Sequence, residues 1–215
     1  MNFSRLPSAM AITACAASLV VTLAACGSDT KTPAASTSHK GGLADLSLPN
    51  AVTPVSTDTP TAPNSCPTAA PVNAAPEWSL SGGGGNIAVT GSTDSAAPAV
   101  TVNGPFSVSE TQVHTLQAGT GAVVSPTATV LVCYAGFDGR DGHKFDSAYD
   151  RGEPATFPLT GVVPGFQKAI AGQKVGSTVA VAMAPADGYP EGQPSAGIQA
   201  GDSLVFAIKI LDAQG

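Results

Sequence analysis

The stretch Val130–Phe166, VLVCYAGFDGRDGHKFDSAYDRGEPATFPLTGVVPGF, decides how this 215-residue chain is interpreted. It contains six of the eleven aromatic residues (seven Phe, three Tyr and one Trp in all), whereas Ala, Gly, Pro, Ser and Thr dominate elsewhere. A chain with so few large rings must use them as hydrophobic core or as the walls of a site. The same stretch places a charged pair, Asp146 and Arg151, among the rings.

Around this stretch, the residue pattern predicts an antiparallel sheet with one helix against it. Apolar, β-branched runs or alternation predict strands at residues 111–116, 128–134, 156–159, 177–183 and 204–211. Pro164 suits the first position of a helix, which Gly172 or Gly176 can end. Residues 184–200 form a long Gly/Pro-rich loop. The predicted fold class is α+β, and about 115 residues are enough for one modest core.

The N-terminus is typical of an export signal. Arg5 supplies a positive charge, and Ala9–Leu23 is apolar but short for a membrane span. The following Leu23–Cys26, Leu-Ala-Ala-Cys, resembles the lipobox of bacterial lipoproteins. This resemblance implies that residues 1–25 are removed and that Cys26 becomes an acylated N-terminus, anchored to the cell membrane outside the cytoplasm. The alternative is an ordinary secretory signal with an incidental cysteine.

The remaining cysteines form a candidate disulfide. Cys15 lies in the signal and Cys26 would carry lipid, which leaves Cys66 and Cys133 in an oxidising compartment. A bridge between these two is a hypothesis, and two unpaired thiols are the alternative. If Tyr134 faces a cleft, Cys133 points to the opposite side of the sheet, because side chains alternate along a strand.

Residues 26–98 are interpreted as a mostly disordered tether, followed by a folded domain at 99–215. Ser, Thr, Pro, Ala, Asn and Gly dominate this segment, so it buries too little apolar surface to offset its ordering entropy. Short pieces such as Trp78–Leu80 can dock on the domain. The glycine run Gly82–Gly85 is no phosphate loop, because no Gly-Lys-Ser/Thr follows it.

Several function classes are excluded by composition. With a formal charge of −6 and only nine Lys and Arg residues, the chain has no basic patch for nucleic acid. No nucleophile motif is present, and His114 and His143 are interpreted as solvated surface residues. The acidic residues from Asp138 to Asp150 lack the ligand spacing of an EF-hand, so they predict a solvated acidic turn and no metal site.

The aromatic stretch resembles a known family, the FKBP-type peptidyl-prolyl cis-trans isomerases. The resemblance extends from about Val100 to Leu211, with the order and spacing of the motifs kept. The matching residues are Tyr134, Gly136, Lys144–Ser147, Asp150–Arg151, Phe157–Leu159, Val162–Phe166, Gly172–Gln173, Val175–Gly176, Pro185, Gly188–Tyr189, Ile198 and Leu204–Phe206.

The resemblance implies a half-wrapped antiparallel sheet crossed by one short helix, with proline bound between them. By position, the expected catalytic residues are Tyr134, Phe145, Asp146, Phe166, Tyr189 and Phe206. The expected substrate-binding residues are Arg151, Phe157, Val162, Val163 and Ile198. Phe166 would form the floor, the Val163 N–H and the Tyr189 hydroxyl would bond the substrate, and Arg151 would orient Asp146.

The chemistry of proline isomerisation agrees with this residue set. Rotation about a peptide bond has a barrier of roughly 18–20 kcal/mol, and X–Pro bonds populate both isomers. Its transition state is a twisted, less polar amide, which an apolar cleft with fixed polar groups stabilises without a nucleophile. No cofactor is therefore expected. The expected partners are proline-containing unfolded proteins of the cell envelope, together with macrolide ligands, and a monomer is expected.

The sequence departs from the family at several points and leaves alternatives open. Phe166 replaces the usual Trp floor, Ala155 replaces a wall Phe, and Pro190 follows Tyr189 where Gly is usual. The loop 193–197 also differs from the family pattern, as does the pair Gln199–Ala200, where the family has two prolines. A weakly active or inactive chaperone of the same fold, binding proline-containing segments, is therefore the alternative function. Phe157, Val162 and Phe206 would otherwise be plain core, and Asp146–Arg151 a surface ion pair.

Overall fold

The computed structural model describes residues 64–215. The strands are β1 Trp78–Gly82, β2 Gly85–Thr90, β3 Ala99–Asn103, β4 Gln112–Gln117, β5 Thr129–Asp138, β6 Lys144–Ser147, β7 Ala155–Pro158, β8 Thr178–Met183 and β9 Leu204–Gln214. The helices are α1 Ala148–Arg151 and α2 Pro164–Ile170. Short 3₁₀ turns occur at Leu159–Gly161, Pro185–Asp187 and Pro194–Ala196. None of the helices in residues 64–215 is both long and apolar enough to cross a membrane.

The main sheet is antiparallel and has six strands. Its order is β4-β8-β9-β5-β6, and β7 pairs with β5 beside β6. Strand β5 pairs along its whole length with β9 on one edge, while its other edge is shared by β7 and β6. The predicted antiparallel sheet with one helix against it is confirmed, and so are the five predicted strands and the start of the helix at Pro164.

Helix α2 lies close to one face of this sheet because its second residue is Gly165. A Cβ at this position would lie 2.7 Å from the Met183 sulfur on β8, so a larger residue would push the helix away. The helix buries Phe166, Ala169 and Ile170 at helical spacing. It ends at Ile170, two residues before Gly172, whose φ of +81° suits glycine.

A second sheet, β1-β2-β3, covers the opposite face of the main sheet. Its apolar residues Ile87 and Val89 are fully buried, together with Phe106, against Val205 and Ala207 of β9. At the side of this contact, the Trp78 ring of β1 stacks on the exposed His114 of β4, with 5.5 Å between ring centroids. The three-stranded sheet is therefore part of the folded unit and seals the back of the main sheet.

The predicted disordered tether is wrong for residues 64–98, where the structure has two complete strands. The apolar residues that form them alternate with Ser, Gly and Asn, so the average composition hides a period of two. The piece Trp78–Leu80 does pack on the domain, as expected. The signal at 1–25, Cys26 and the tether up to residue 63 lie outside the described residues.

The structure contains the disulfide between Cys66 and Cys133, with 5.7 Å between their Cα atoms. In the sheet, Cys133 is opposite Lys209, whereas Tyr134 is opposite Ile208 on the α2 side. Cys133 therefore points to the back face, as its alternation with Tyr134 predicted. The backbone N–H of Cys66 also donates to the carbonyl of Gly152, which follows α1, so Cys66 is held through both its side chain and its backbone.

Candidate active site

A cavity of about 390 Å³ opens between α2 and the main sheet. Its walls come from five separate parts of the chain, namely β5, β6, the segment from β7 to α2, the loop after β8, and β9. The lining residues are Tyr134, Phe145, Asp146, Phe157, Gly161, Val162, Val163, Phe166, Tyr189 and Phe206. Six of these ten are aromatic, so the scarce rings of this chain are concentrated at one site.

Phe166 of α2 is held by three other rings. Its ring centroid lies 5.5 Å from that of Phe206, 5.8 Å from that of Tyr134 and 5.9 Å from that of Phe157. All three contacts are edge-to-face, the arrangement that the charge distribution of aromatic rings favours. With only 5 % of its surface exposed, Phe166 is a fixed floor rather than a mobile flap.

The wall opposite the helix depends on a glycine in β5. Phe145 of β6 and Phe206 of β9 meet edge-to-face, with 5.5 Å between their centroids, directly above Gly136. A Cβ at position 136 would lie 2.7 Å from an atom of each ring. The two rings can therefore close over the strand only because residue 136 has no side chain.

The polar edge of the cavity is a three-residue network. The Tyr134 hydroxyl donates to one oxygen of Asp146, and the Arg151 guanidinium donates to the other oxygen at 2.5 Å. The second terminal nitrogen of Arg151 lies 3.3 Å from the Tyr134 hydroxyl oxygen, to which it donates. Asp146 thus has both oxygens occupied and cannot rotate freely.

The protonation states of this network follow from its contacts. Burial opposes ionisation of Asp146, but the hydrogen bonds from Tyr134 and Arg151 outweigh it and lower the pKa of the carboxyl below its usual value. Burial and the bond to Asp146 raise the pKa of Tyr134 to about 12. At neutral pH, Asp146 is therefore a carboxylate and Tyr134 a neutral donor.

The remaining walls are supplied by short irregular segments. Val162 and Val163 join the 3₁₀ turn at Leu159–Gly161 to α2, and Val163 is the N-cap, with its carbonyl accepting from Phe166 and Gln167. Tyr189 follows the 3₁₀ turn at Pro185–Asp187 and faces the cavity from the other side.

The structure brings together nine of the eleven residues that the sequence analysis assigned to the site. Two do not line the cavity. Arg151 lies behind Asp146, to which it is ion-paired as expected. Ile198 is only 2 % exposed and belongs to the core beneath the wall. Gly161 also lines the cavity and was not assigned to the site. A Cβ there would meet only Pro158, at 3.4 Å, so no close approach singled this glycine out.

The disulfide lies away from the cavity, on the back face, so Cys66 and Cys133 are not part of the site.

The four acidic residues of the predicted solvated turn are each paired with a cation. Arg140 bridges Asp138 and Asp141, Lys144 pairs with Asp150, and Arg151 pairs with Asp146.

Comparison with known proteins identifies relatives of this chain. Residues 121–211 match the sequence profile described as FKBP-type peptidyl-prolyl cis-trans isomerase. The chain is 41 % identical over 96 residues to a probable FK506-binding protein of Corynebacterium glutamicum. The aligned residues make up 44 % of this chain and 80 % of that protein. β1, β2 and β3 precede the matched region.

Two longer relatives match the same part of the chain. The FKBP-type isomerase FkpA of Escherichia coli K12 is 36 % identical over 100 residues, or 46 % of this chain and 36 % of FkpA. The peptidyl-prolyl cis-trans isomerase Mip of Coxiella burnetii is 35 % identical over 105 residues, or 48 % of this chain and 44 % of Mip. The match thus spans less than half the length of either protein.

Proposed function

This chain belongs to the FKBP-type peptidyl-prolyl cis-trans isomerases, and we propose that the cavity above Phe166 is where the X–Pro bond of its substrate rotates. The observation that supports this location is the floor itself, one buried ring held edge-on by three others beside a fixed carboxylate. A proline ring is apolar and flat enough to lie on such a floor, while the adjoining peptide carbonyl reaches the polar edge.

The cavity lowers the rotation barrier by suiting the twisted amide better than the planar one. The planar amide is polar and conjugated, and rotation removes the conjugation, so an apolar, water-poor wall favours the twisted state. Only interactions that are stronger in that state accelerate the reaction. A millionfold acceleration corresponds to about 8 kcal/mol, which requires no covalent intermediate.

The polar residues orient the substrate in this proposal. The ionised Asp146, fixed by Tyr134 and Arg151, supplies a constant negative potential at the edge where the carbonyl turns. The Tyr189 hydroxyl and the Val163 N–H serve as hydrogen-bonding groups for the peptide on either side of the proline. These two roles come from the resemblance to the family, and the position of both residues at the cavity supports them.

A protease-coupled assay with a proline peptide tests the proposed site. The folded protein is expected to accelerate isomerisation, and Tyr189→Phe is expected to reduce kcat/KM by about tenfold, the equivalent of one hydrogen bond of about 1.4 kcal/mol. Tyr149→Phe is the matched control, because the Tyr149 hydroxyl is buried and bonded to Ser92 outside the cavity. No acceleration by protein that is folded by circular dichroism would contradict the proposal.

We also propose that the protein is exported and held at the cell membrane by lipid on Cys26, where its substrates are unfolded proteins of the cell envelope. The Leu23–Cys26 pattern supports the anchor, and the Cys66–Cys133 disulfide suits an oxidising compartment. Labelling of cells with a palmitate analogue tests this. The wild type should carry label in the membrane fraction and Cys26→Ser should not, whereas unlabelled wild type would indicate an ordinary secretory signal.

Macrolide binding is a further proposal, supported by the name of the Corynebacterium relative, a probable FK506-binding protein. The apolar cavity of about 390 Å³ offers the same floor to a macrolide as to proline. Titration with FK506 should inhibit the isomerase competitively. Undiminished turnover at saturating macrolide would contradict a shared site.

We also propose that the protein is a monomer, which size-exclusion chromatography tests.

A further inference from the structure

The loop between β8 and β9, residues 184–203, forms one side of the cavity. It has no strand of its own, and only two short 3₁₀ turns interrupt it. It carries Tyr189, which faces the cavity, and Ile198, which is buried beneath it. Because a loop of this length has little regular backbone bonding, its conformation depends on side chains from neighbouring elements.

The first half of the loop is tied to the floor helix. Both oxygens of Asp187 accept from the Lys168 ammonium of α2 at 2.8 Å. The Thr111 hydroxyl also donates to Asp187, at 2.5 Å, and accepts from the N–H of Ala184 at 3.1 Å. Tyr189 is two residues beyond this anchor, so one side of it is fixed relative to Phe166.

The second half is tied to a different element, the turn between β5 and β6. Arg140 in that turn donates through Nε to Asp202 at 3.3 Å and through Nη2 to the Gly197 carbonyl at 3.2 Å. The same Nη2 lies 3.3 Å from Asp138, whose side chain is 1 % exposed. Asp202 in turn accepts from the N–H of Gln199 at 2.7 Å. One guanidinium therefore holds both ends of the segment 197–202.

This anchor is connected to the cavity by backbone hydrogen bonds. Ile198, next to Gly197, exchanges two bonds with Gln193, at 2.8 and 3.2 Å. The N–H of Gly192, beside Gln193, donates to the Tyr189 carbonyl at 2.9 Å. The segment held by Arg140 is thus joined to Tyr189 through two successive turns.

We propose that Arg140 is a positioning residue of the isomerase, which keeps the loop 188–202 in its substrate-binding conformation without touching the substrate. The inference rests on the proposed function of the cavity. Arginine is required because its planar fork of donors reaches three carboxylates and a carbonyl at once, whereas a lysine ammonium acts as a point charge. Without this anchor, the cost of ordering the loop is added to every binding event.

The expected effect is therefore on binding and not on the rotation step. Replacing Arg140→Met should raise KM for a proline peptide by about tenfold, equivalent to about 1.4 kcal/mol, while kcat stays within about twofold. Arg140→Lys should recover only part of the loss. Lys174→Met is the matched control, because it removes one exposed positive charge from a residue outside the loop.

Hydrogen exchange supplies the second measurement. In Arg140→Met, the amides of Gln193 and Ile198 should exchange at least tenfold faster, while those of β5 and β8 stay unchanged. Since this substitution leaves Asp138 buried without its cation, the double variant Arg140→Met/Asp138→Asn should be made as well. It removes the more deeply buried of the two carboxylates that lose their cation, while Asp202 remains and the anchor is still absent. The double variant should therefore show the same rise in KM.

Several results would overturn the proposal. These are an unchanged KM in both variants, unchanged exchange at Gln193 and Ile198, or a parallel loss of kcat and of the free energy of unfolding. If the wild type does not turn over the peptide, it is the proposed function that fails. In that case the exchange rates and the affinity for the proline peptide still decide whether Arg140 orders the loop.

Discussion

Strand β9 presents Phe206, Ile208 and Ile210 to the α2 side of the main sheet, but Val205 and Ala207 to the other side. Its neighbour β8 repeats the difference, with valines and Met183 toward α2 and Ala180 and Ala182 toward the back. On the α2 side, the large side chains surround a cavity between rings, beside the point where Gly165 lets the helix approach β8. On the back side, Ala180, Ala182 and Ala207 are fully buried beneath the second sheet. A cavity of about 330 Å³ also lies on this side, between β3 and β5, but only two aromatic residues line it, against six for the cavity above Phe166.

The comparison indicates that the two faces have different tasks. The α2 face carries the ring-lined cavity, whereas the alanines of the back face are fully buried beneath the second sheet. We expect the first face to determine turnover and the second to determine stability. Substitutions on the back face should therefore change the free energy of unfolding more than turnover. Substitutions on the α2 face should change turnover more than the free energy of unfolding.

The largest effect is expected from the disulfide on the back face. The two cysteines are 67 residues apart, and closing a loop of this length stabilises the folded state by about 4 kcal/mol in the chain-entropy account. The Cys66→Ala/Cys133→Ala variant should lose that amount in urea unfolding but keep kcat/KM within about twofold while folded.

Reductant provides the control for this prediction. It should destabilise the wild type to a similar extent and leave the double variant unaffected. If turnover of the still folded protein falls in proportion to reduction, the back face is coupled to the site, and the division between the two faces fails.

A smaller loss of stability is expected from Ala207→Leu. Ala207 is fully buried between the sheets, so three extra carbon atoms must displace β2 or strain β9. This should lower the free energy of unfolding by about 2 kcal/mol. Thermal unfolding measures the loss, and Thr101→Val, at an exposed position of β3, is the control. An equally stable Ala207→Leu would show that the back sheet is loosely packed.

On the α2 face, Asp146→Asn should reduce kcat/KM by about tenfold, or about 1.4 kcal/mol, because it removes the charge that Tyr134 and Arg151 hold in place. The free energy of unfolding should change by less than about 1 kcal/mol, since the Asp146 side chain is 41 % exposed. Asp150→Asn, which removes an exposed carboxylate paired with Lys144, should leave turnover unchanged. Equal losses in both variants would indicate a general charge effect.

The smallest effect is a dependence of stability on pH. Burial opposes ionisation of Asp146, but bonds from Tyr134 and Arg151 hold its pKa below the ordinary 3.8. The carboxylate therefore stabilises the fold fully above that value, and the contribution disappears as the pH falls through the lower, folded-state pKa. Urea unfolding of wild type and Asp146→Asn from pH 7 downward should show their difference shrinking in acid. If the difference in the free energy of unfolding grows in acid instead, folding raises the pKa of Asp146 and this prediction is wrong.

Much of the site could be predicted from the sequence because its rare rings, in their order and spacing, resemble those of the FKBP-type isomerases. Spacing alone would not have assigned the site, since Phe137 and Tyr149 lie among the same rings but do not line the cavity. Ile198 was the exception. A residue at the edge of a loop can face the cavity or support the wall from below, and only the packing of the loop decides between them.

The part that could not be predicted is the back sheet. The apolar residues of β1–β3 do alternate, as in Trp78 and Leu80 or Ile87 and Val89, but each pair is isolated among Ser, Gly and Asn. Their burial depends on Val205 and Ala207, more than a hundred residues away in sequence. Local composition therefore resembled a disordered segment, while the tertiary contact made it ordered. The four-residue elements α1 and β6 were not predicted from the residue pattern either.

The four glycines at 82–85 have a consequence for the mutational tolerance of this protein. They form the tip joining β1 to β2, and a Cβ at Gly82, Gly84 or Gly85 would collide with the carbonyl oxygen of Ser107, Pro105 or Asn103, respectively. In a saturation library, these positions should therefore accept substitutions as poorly as the interior does. The tetrapeptide that most resembles a flexible linker is therefore expected to be among the segments that tolerate substitution least.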